Sequence, residues 1–439
     1  MNRNISIIGL GKLGACMMVS FASKGFKVIG VEIDKQRAEL LKQGKTFHYE
    51  PNLSEYLNKY RSNISITDSY ERAIRDTDAT FIVVNTPSDS TGAFSVEQLV
   101  PACKQIGTVL QKKDTYHLVS VTCTVMPGAT RNAVLTALES SSGKRVGKDF
   151  GLCYNPEFIA LGSVIHDFLN PDFILIGESE KKAGDMLTSI YMKLIKDPKI
   201  RRMSYENAEI TKIALNSYIT MKISFANLLA EMCGMIPGAN VDAITESLGM
   251  DTRIGKKYLK GAMSFGGPCF PRDNRAFFLS AKIHGCELDL PATTDKVNRK
   301  HIEFIANMAV SYCNGDGRVA ILGGSYKPNT DVIEASPAIE IAKHIVASGI
   351  KVSIHDPIAR ANIEKLHGST FHCAQSVAEC VEGSDVCIVA TPWEEYKALT
   401  QKDFKKMKSP VVIDCWRILK PFSNNSTVRL VQIGVGNSN

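Results

Sequence analysis

The chain carries the segment Asn4-Ile-Ser-Ile-Ile-Gly9-Leu-Gly11-Lys-Leu-Gly14 close to its N-terminus, and this segment predicts the fold class. Residues 4–9 are short, β-branched and apolar and end at a glycine, which is typical of a strand buried in a parallel sheet. A helical pattern follows and ends near Gly25, and a second strand is predicted over residues 27–31. A strand, a helix and a further strand in this order predict a βαβ unit.

The glycines Gly9-x-Gly11-x-x-Gly14 match the dinucleotide-binding fingerprint, here after a strand and at the start of a helix. Such glycines allow a tight turn and a close approach of the backbone to a pyrophosphate, while the helix N-terminus presents free N–H groups. Glu32 lies 18 residues after Gly14, where an acid can accept hydrogen bonds from an adenosine ribose. The pattern favours NAD over NADP; Asp34 and Lys35 either assist or are surface residues.

The rest of the chain predicts two α/β halves around a helical middle. Further strands are predicted over residues 79–84 and 117–121, and the first parallel sheet is expected to end near residue 190. Apolar residues at helical spacing predict helices over residues 207–229, 241–248 and 291–310. A second alternation predicts strands over residues 318–323, 351–355, 386–390 and 410–414, with a helix over 336–348.

These patterns predict an α/β protein: two Rossmann-like doubly wound parallel-sheet domains joined by a central all-helical domain. The predicted boundaries are 1–195 for the N-terminal dinucleotide-binding domain, 196–305 for the helical domain and 306–439 for the C-terminal domain. The tail after Lys420 is polar and is expected to be loose.

Composition excludes several classes of protein. The 439 residues are 44% apolar, which excludes global disorder, and the net charge of +7 is too small and too dispersed for a nucleic-acid binder. The mild positive charge suits anionic small ligands. The twelve cysteines show no CxxC pair and no metal-ligand spacing, and no secretory or membrane-spanning segment is evident. We therefore expect no metal, no membrane partner and a reducing cytoplasm.

Several loops carry candidate chemistry. Thr86-Pro87 and Thr124-Val-Met-Pro-Gly128 follow predicted strands, at the edge where such sheets bind ligands, although they could equally be ordinary loop residues. Asn155-Pro-Glu157-Phe158 follows another short strand, and Glu157 by itself could be a solvated acid. In the helical middle, Glu209, Lys212 and Asn216 share one helix face, either as a solvent-facing stripe or as a functional set.

The segment Phe265-Gly-Gly-Pro-Cys269-Phe-Pro-Arg272-Asp273 is the most distinctive in the chain. Its glycines let the backbone approach a ligand, and its prolines stiffen the turn. Most free cysteines are inert buried hydrophobes, and we expect this of the other eleven. Cys269, beside Arg272 and Asp273, suits an activated nucleophile better.

Taken together, these motifs resemble the UDP-glucose/GDP-mannose dehydrogenase family of nucleotide-sugar 6-dehydrogenases, over nearly the whole chain to about residue 420. The matching segments are Gly9–Gly14, Val31-Glu-Ile-Asp34, Thr86-Pro87, Thr124–Gly128, Asn155–Phe158, Lys212-x-x-x-Asn216, Asp251-Thr-Arg253-Ile-Gly255, Gly266–Asp273, Tyr326-Lys-Pro-Asn-Thr-Asp331 and His355-Asp-Pro357.

The resemblance implies a four-electron oxidation of a sugar C6 alcohol to a carboxylate, with two NAD reduced in sequence. It implies that Cys269 forms a thiohemiacetal and then a thioester, and that Lys212 and Asn216 stabilise the oxyanion. Glu157 and Asp273 would handle protons and position water, and Thr124 would position a water or the nicotinamide.

The resemblance also implies two sets of ligand contacts and a homodimer, or a higher homo-oligomer, built on the long central helix. Arg253 matches a residue that is supplied across the dimer. The expected cofactor-binding residues are Gly9, Gly11, Lys12, Leu13, Gly14, Glu32, Asp34, Lys35, Thr86, Pro87, Thr124 and Arg272. The expected substrate-binding residues are Glu157, Phe158, Lys212, Asn216, Arg253, Tyr258, Leu259, Lys260, Phe265, Gly266, Tyr326, Lys327 and Arg417.

The chain departs from the family pattern at several positions. Leu161 stands where a second glutamate is common, and Glu334 stands where an arginine that reaches NAD is common. Pro268 and Arg272 replace the commoner serine and lysine around the cysteine. These departures leave the catalytic set intact but weaken the choice of sugar.

UDP-glucose is the favoured substrate, while GDP-mannose, UDP-N-acetylhexosamines and CDP- or dTDP-glucose stay open. A two-electron hydroxyacid or polyol dehydrogenase shares a Rossmann domain followed by helices, but it needs neither the Cys269 loop nor a third domain. A non-catalytic nucleotide-binding protein of the same fold is the other alternative.

Overall fold

The structure is a computed structural model that describes residues 3–313, 317–423 and 426–436. Its internal contacts divide the chain into two units, residues 1–215 and 216–439. The prediction of three domains stays a prediction. None of the helices in the described part of the chain is long and apolar enough to cross a membrane.

The first unit is built on a sheet of eight described strands in the order β3-β2-β1-β4-β5-β6-β7-β8. The strands are β1 (Ile5–Ile8), β2 (Val28–Val31), β3 (Ile64–Thr67), β4 (Ala79–Ile82), β5 (His117–Val121), β6 (Phe150–Tyr154), β7 (Ile174–Glu178) and β8 (Ile200–Met203). The helices are α1 (Lys12–Ser23), α2 (Lys35–Lys42), α3 (Leu53–Lys59), α4 (Tyr70–Arg75), α5 (Leu99–Gln111), α6 (Thr136–Ser142), α7 (Val164–Leu169) and α8 (Lys181–Leu194). Short 3-10 and π-helical turns cover Arg61–Asn63 and Thr130–Leu135.

This sheet differs from the predicted parallel sheet at one place. The pair β6–β7 is antiparallel, with Cys153 opposite Glu178, whereas the other pairs in the sheet are parallel. The connection of residues 155–173 stays at the edge where β6 ends, so β7 starts there and runs back. The sheet also extends beyond residue 190, to β8, which lies in the segment predicted to be helical. Its sequence, Ile-Arg-Arg-Met, is charged and only partly buried, so it lacks the apolar run of a central strand.

The second unit contains helices and a further sheet, and the helix α9 (Tyr205–Met235) runs from the first unit into it. Its helices are α10 (Val241–Met250), α11 (Phe270–Ile283), α12 (Asp289–Ser311), α13 (Pro337–Ala347), α14 (Arg360–His367), α15 (Val377–Val381) and α16 (Glu394–Lys397). Its strands are β9 (Arg318–Leu322), β10 (Lys351–His355), β11 (His372–Cys373), β12 (Val386–Val389), β13 (Val411–Asp414) and β14 (Arg429–Gln432).

The second sheet has the order β11-β10-β9-β12-β13-β14, and all its pairs are parallel. The predicted fold, two α/β sheets separated along the chain by helices, is confirmed. The prediction of a loose tail after Lys420 is wrong for β14 and Val435, because β14 pairs with β13 and Val435 pairs with Asn240. Residues 424–425 and 437–439 of that tail lie outside the described residues.

Buried apolar side chains explain the strand assignments. The strands β1, β4, β5 and β6 are buried along their whole length, as expected for parallel strands covered by helices on both faces. In the second unit, β12 is buried along its whole length, and β9 and β10 are buried except for their exposed first residue. The loops at the ends of these strands are therefore anchored on the buried part of each sheet.

Candidate active site

The turn between β1 and α1 has the geometry that a dinucleotide needs. Gly9 has a φ of +93°, and a Cβ there would lie 2.7 Å from the Val83 carbonyl oxygen. Gly14 packs so tightly on Gly9 that a Cβ would overlap the Gly9 oxygen. At Gly11, by contrast, a Cβ would meet nothing within 4 Å. The space in front of Gly11, at the N-terminus of α1, is where a pyrophosphate fits.

Glu32 lies at the end of β2 and is almost completely buried. Its Oε2 accepts hydrogen bonds from the backbone N–H of Leu10 and from Arg37, both at 3.2 Å, and its Oε1 accepts one from the N–H of Asp34. Arg37 also stacks on the Phe47 ring at 4.7 Å. Glu32 is therefore held where the sequence predicts a ribose acceptor, whereas Asp34 caps α2 by accepting from the Arg37 N–H.

The two loops predicted at the sheet edge are joined to each other. The Thr86 hydroxyl donates to the Thr124 carbonyl oxygen at 2.7 Å. Beyond Thr124, the carboxylate of Glu209 accepts from the backbone N–H groups of Gly128 and Thr130, at 2.5 and 2.8 Å. Burial raises the pKa of Glu209, although these hydrogen bonds oppose the shift. Glu209, which the sequence placed on the same face as Lys212, thus holds the loop that carries Thr124.

Glu157 lies after β6 and contacts two other elements of the first unit. Its Oε1 is 2.9 Å from the hydroxyl of Tyr191 on α8, and its backbone carbonyl accepts from the Lys212 Nζ at 2.7 Å. Lys212 also lies over the Phe158 ring, 4.9 Å from its centroid. Burial raises the pKa of Glu157 to about 7, against the opposing effects of the Tyr191 hydrogen bond and the Lys212 charge. A carboxyl with such a pKa can gain or lose a proton near neutral pH.

In the second unit, Cys269 is exposed and lies at the N-terminus of α11. A helix N-terminus favours negative charge, and therefore the thiolate form of a cysteine. Asp273, in the first turn of the helix, is completely buried and accepts from the Asn216 amide at 2.6 Å. Arg272 approaches the other Asp273 oxygen at 3.4 Å. The structure thus brings Asn216 and Asp273 together in the second unit.

A further set of hydrogen bonds, centred on Asn274, holds the start of α11 in place. The side chain of Asn274 accepts from Thr220 on α9 at 3.0 Å and donates to Asp295 on α12 at 2.9 Å. Burial raises the pKa of Asp295, while Asn274 and the nearby Arg275 and Arg299 oppose that shift. Three helices are therefore tied together at the residue next to Asp273.

Most cysteines elsewhere match the inert role expected of them. In the first unit, burial raises the pKa of Cys16, Cys103 and Cys153, so these thiols stay protonated. In the second unit it does the same for Cys380, Cys387 and Cys415. Cys286, like Cys269, is exposed.

The loop of residues 258–267, which carries several of the expected substrate-binding residues, is held by side chains that bind its backbone. The amide of Asn227 binds Ala262 N–H and Met263 carbonyl, and the amide of Asn298 binds both backbone groups of Phe265. Leu259 and Phe265 are buried, and the Tyr326 ring packs on Gly267 so closely that no side chain could replace the glycine hydrogen. Among the predicted substrate contacts, this structure therefore groups Phe265, Gly266 and Tyr326.

His301 contributes a further contact to this loop. Its Nε2 lies 2.7 Å from the Ala262 carbonyl oxygen and its Nδ1 lies 2.6 Å from Glu231. The ring is completely buried and stacks on Phe304. His301 on α12 therefore connects this loop to Glu231 on α9.

Arg417, predicted to bind the substrate, donates its hydrogen bonds to other groups of the protein. Its five N–H groups donate to both oxygens of Asp242 and to the carbonyl oxygens of Lys260, Gly261 and Ile433, at 2.6 to 2.8 Å. A guanidinium has five N–H donors, so all of them are used. In this structure Arg417 positions the loop, and its contact with a substrate stays a prediction.

The other predicted cations differ in their surroundings. The Lys260 ammonium lies 3.4 Å from Asp242, and Arg253 is 86% exposed and bound to Asp251 at 2.6 Å. Lys327 is partly exposed, on the same loop as Tyr326. The exposed position of Arg253 is compatible with the expected role across a dimer, which stays a prediction.

The turn after β9 uses its backbone N–H groups differently from the turn after β1. The Asp356 carboxylate accepts from the N–H groups of Gly324 and Ser325 at 2.8 and 2.9 Å, and from those of Ile358 and Ala359. An internal carboxylate therefore occupies the donors that a phosphate would need. The sequence of this turn, Gly323-Gly-Ser-Tyr-Lys-Pro328, also lacks the second and third glycines of the dinucleotide-binding fingerprint.

Sequence reasoning missed Tyr191, Asn227, Asn298 and His301 as residues that support the site. Asn227 follows Asn216 by 11 residues, three helical turns, and this spacing could have identified it. The other three reach their partners over 33 to 39 residues of chain, and no local pattern marks them. Leu161 packs against the core of the first unit, and Glu334 is exposed.

We expect Asp242→Asn to lower the free energy of unfolding by about 1–3 kcal/mol at neutral pH, because the Arg417 hydrogen bonds lose their charged acceptor. Burial opposes ionisation of Asp242, but Arg417 and Lys260 outweigh it and hold the pKa of Asp242 below its usual value. The contribution of Asp242 is therefore complete above its unfolded pKa of about 4 and is lost as the pH falls through the folded pKa. Urea unfolding at several pH values measures this.

The control is Asp251→Asn, which breaks a surface pair with Arg253 and should leave the unfolding midpoint unchanged. Equal losses in the two variants, or a loss in Asp242→Asn that persists unchanged at acidic pH, would contradict the role assigned to Asp242.

Comparisons with known proteins identify the family. The chain matches the UDP-glucose/GDP-mannose dehydrogenase family over residues 3–195 (NAD binding domain), 206–300 (central domain) and 320–421 (UDP binding domain). It is 34% identical to a UDP-glucose 6-dehydrogenase of Haloferax volcanii (94% of this chain, 97% of that one) and 30% identical to a GDP-mannose 6-dehydrogenase of Pseudomonas aeruginosa (91% and 93%). A UDP-glucose dehydrogenase structure from Pyrobaculum islandicum superposes with a TM-score of 0.88 at 31% identity, covering 95% of each chain. The chain belongs to the UDP-glucose/GDP-mannose dehydrogenase family and is an NAD-dependent nucleotide-sugar dehydrogenase.

Proposed function

We propose that this protein oxidises the C6 hydroxyl of a nucleotide sugar to a carboxylate in two steps, through a covalent adduct on Cys269. UDP-glucose is the favoured substrate, and the UDP-glucose dehydrogenases among the relatives support it. GDP-mannose, UDP-N-acetylhexosamines and CDP- or dTDP-glucose stay in the substrate panel, since relatives that are named for GDP-mannose are about as similar. The observation that carries the proposal is an exposed Cys269 at a helix N-terminus with the buried Asp273 one turn later.

The residues around Gly11 and Glu32 fit the cofactor. The turn after β1 leaves open space at Gly11 for the pyrophosphate, and Glu32 is fixed to accept a ribose hydroxyl. NAD, when bound, supplies the hydride acceptor for both oxidations. The neighbouring loops, joined by the Thr86–Thr124 hydrogen bond, then give Thr124 a fixed position from which to orient a water or the nicotinamide.

The first oxidation removes a hydride from C6 and the proton of its hydroxyl, which gives an aldehyde. Glu157 is the group whose pKa of about 7 suits the removal of that proton, either directly or through Lys212. The Cys269 thiolate then adds to the aldehyde carbon, a C–S bond forms, and the oxygen becomes an alkoxide. In this proposal the ammonium of Lys212 and the amide of Asn216 stabilise that charge, and proton uptake gives the thiohemiacetal.

The second oxidation removes another hydride from C6 together with the proton of the thiohemiacetal hydroxyl, and it leaves a thioester. Water attacks the thioester carbonyl, the C–S bond breaks, and the products are the carboxylate and the Cys269 thiolate. Asp273 accepts from Asn216, and in this role it keeps the amide oriented and helps to position the water. One water enters, and two hydrides and three protons leave, in the overall conversion of an alcohol into a carboxylate.

We also propose that the chain forms a homodimer through α9. Tyr218, Phe225 and Met232 repeat every seven residues, and Leu228 and Met235 follow Phe225 and Met232 by three residues each. These five side chains are 47% to 75% exposed, although they are large and apolar. An apolar seam with a 3.5-residue period is the pattern by which two helices pack together.

The NADH yield tests the reaction. With an active member of the nucleotide-sugar panel, we expect two NADH for each sugar oxidised, since an alcohol loses four electrons to become a carboxylate. Absorbance measures the NADH, and mass spectrometry identifies the acid. A yield of one NADH with an aldehyde product would contradict the four-electron route.

Cys269→Ala should abolish acid formation while NADH binding stays within about twofold of the parent value. Cys286→Ala is the control, because Cys286 is also exposed but lies at the other end of α11. Normal acid production by Cys269→Ala, or equal losses in the two variants, would remove Cys269 from the mechanism.

Two alanine substitutions separate the folding role of the glycine turn from its binding role. Gly14→Ala should lower the free energy of unfolding by about 1–3 kcal/mol, because its Cβ overlaps Gly9. Gly11→Ala meets no protein atom, so it should unfold like the parent but bind NADH at least about tenfold more weakly. Urea unfolding and calorimetry measure the two effects; tight NADH binding by Gly11→Ala would place the pyrophosphate elsewhere.

The dimer is tested by the double substitution Phe225→Glu/Met232→Glu, which places charges in the apolar seam. We expect a dimer for the parent chain and a monomer for the variant in light scattering. Leu366→Glu on α14 is the control, since Leu366 is 64% exposed but isolated, and it should leave the dimer intact. A variant that remains dimeric would place the interface on another surface.

A further inference from the structure

Tyr191 is a buried hydroxyl that connects Glu157 to the interior of the first unit. It lies on α8, is 1% exposed and packs within the apolar core. Its oxygen is 2.9 Å from Glu157 Oε1 and 2.6 Å from Asn155 Oδ1. One hydroxyl therefore faces two oxygen atoms at hydrogen-bond distance.

Asn155 cannot turn its amide nitrogen towards Tyr191 without losing another bond. Its Nδ2 donates to the Leu175 carbonyl oxygen at 2.9 Å, and its backbone N–H donates to Val121. The side chain is 1% exposed, so no water replaces a lost partner. Asn155 Oδ1 is thus fixed as an acceptor that faces the hydroxyl.

The number of protons distinguishes the two states of Glu157. A tyrosine hydroxyl carries one proton and can also accept one hydrogen bond. When Glu157 is protonated, its carboxyl O–H can donate to Tyr191, and Tyr191 can donate to Asn155. When Glu157 is ionised, Tyr191 must share its single proton between two acceptors, and the bond to the carboxylate is the stronger one.

The other groups that act on Glu157 keep the two states close in free energy. Burial favours the neutral carboxyl, whereas Tyr191 from α8 and the Lys212 ammonium from α9 favour the carboxylate. Lys212 donates to the Glu157 backbone oxygen rather than to its carboxyl, so its effect on the carboxyl is through charge alone. Among the described residues, Tyr191 therefore supplies the side-chain hydrogen bond to the carboxyl.

We propose that Tyr191, with Asn155 behind it, is a positioning residue that reverses its hydrogen bond when Glu157 gains or loses a proton. In both states the Tyr191 oxygen stays hydrogen-bonded to Glu157 Oε1. The carboxyl therefore keeps its position when it gains or loses a proton. This inference rests on the proposed function, in which Glu157 removes the C6 hydroxyl proton.

Opposite shifts in two variants are the signature of this device. Tyr191→Phe removes the donor to the carboxylate, so the acidic limb of the kcat/KM profile should move to higher pH, by about half to one unit. Asn155→Ala removes the competing acceptor, so Tyr191 donates wholly to Glu157 and the limb should move to lower pH. In the double variant the effect of Asn155→Ala should disappear, because no hydroxyl is left to redirect.

Tyr205→Phe is the matched control. Tyr205 is also a buried tyrosine of the first unit, and its hydroxyl donates to the Leu152 carbonyl oxygen at 3.2 Å rather than to Glu157. It should lose comparable stability and leave the pH profile in place. An equal shift in Tyr205→Phe would overturn the proposal, since the shift would then report general destabilisation.

Infrared titration of the Glu157 carboxyl, assigned by its absence in Glu157→Gln, separates this inference from the proposed reaction. If the infrared titration shifts in Tyr191→Phe and the kcat/KM profile does not, the hydrogen-bond switch stands and Glu157 is not the base. If the infrared titration of Tyr191→Phe matches that of the parent, the switch is overturned. Should Asn155→Ala fail to fold, Tyr191→Phe and its control decide the test.

Discussion

Buried backbone in the loops must find hydrogen-bond partners, and this constraint shapes the site in both units. Loops lack the regular ladders of helices and strands, and an unpaired buried N–H or carbonyl group is costly. In this chain, buried polar side chains supply the missing partners. Glu209 binds the N–H groups of Gly128 and Thr130, Asn227 binds Ala262 and Met263, and Arg417 binds three carbonyl oxygens. The loops that carry the candidate ligand-binding residues are thereby held in place by the protein itself.

The two α/β halves show how one internal carboxylate changes what a glycine turn can do. In the turn after β1, Glu32 binds the Leu10 N–H and leaves the space at Gly11 open. In the turn after β9, Asp356 occupies the N–H groups of Gly324 and Ser325. A phosphate needs such free donors. The first turn is therefore suited to a dinucleotide, whereas the second is already filled by the protein itself.

The strands and the helical middle were predictable from local patterns. The strand over residues 117–121 was predicted with its observed bounds, because a short apolar run bounded by polar turn residues is typical of a buried strand. Long-range pairing was not predictable to the same degree. The strand β14 has a polar, partly exposed sequence and forms because β13 offers a free edge. The antiparallel direction of β7 depends on the edge of the sheet at which the connection from β6 ends. The spacing of apolar residues carries no information about that edge.

For the site, the sequence by itself determined which residue types are available and which family they indicate. The glycine fingerprint with Glu32, the Cys269 loop and the Lys212–Asn216 pair are local motifs whose spacing carries their chemistry. The tertiary structure decided which distant side chains support these motifs. It placed Tyr191 against Glu157 across 34 residues of chain, used all five donors of Arg417 for the protein, and buried Asp273 beneath the Asn216 amide. The physical reason is that burial and hydrogen bonding depend on which distant side chains meet, and sequence spacing does not specify those meetings.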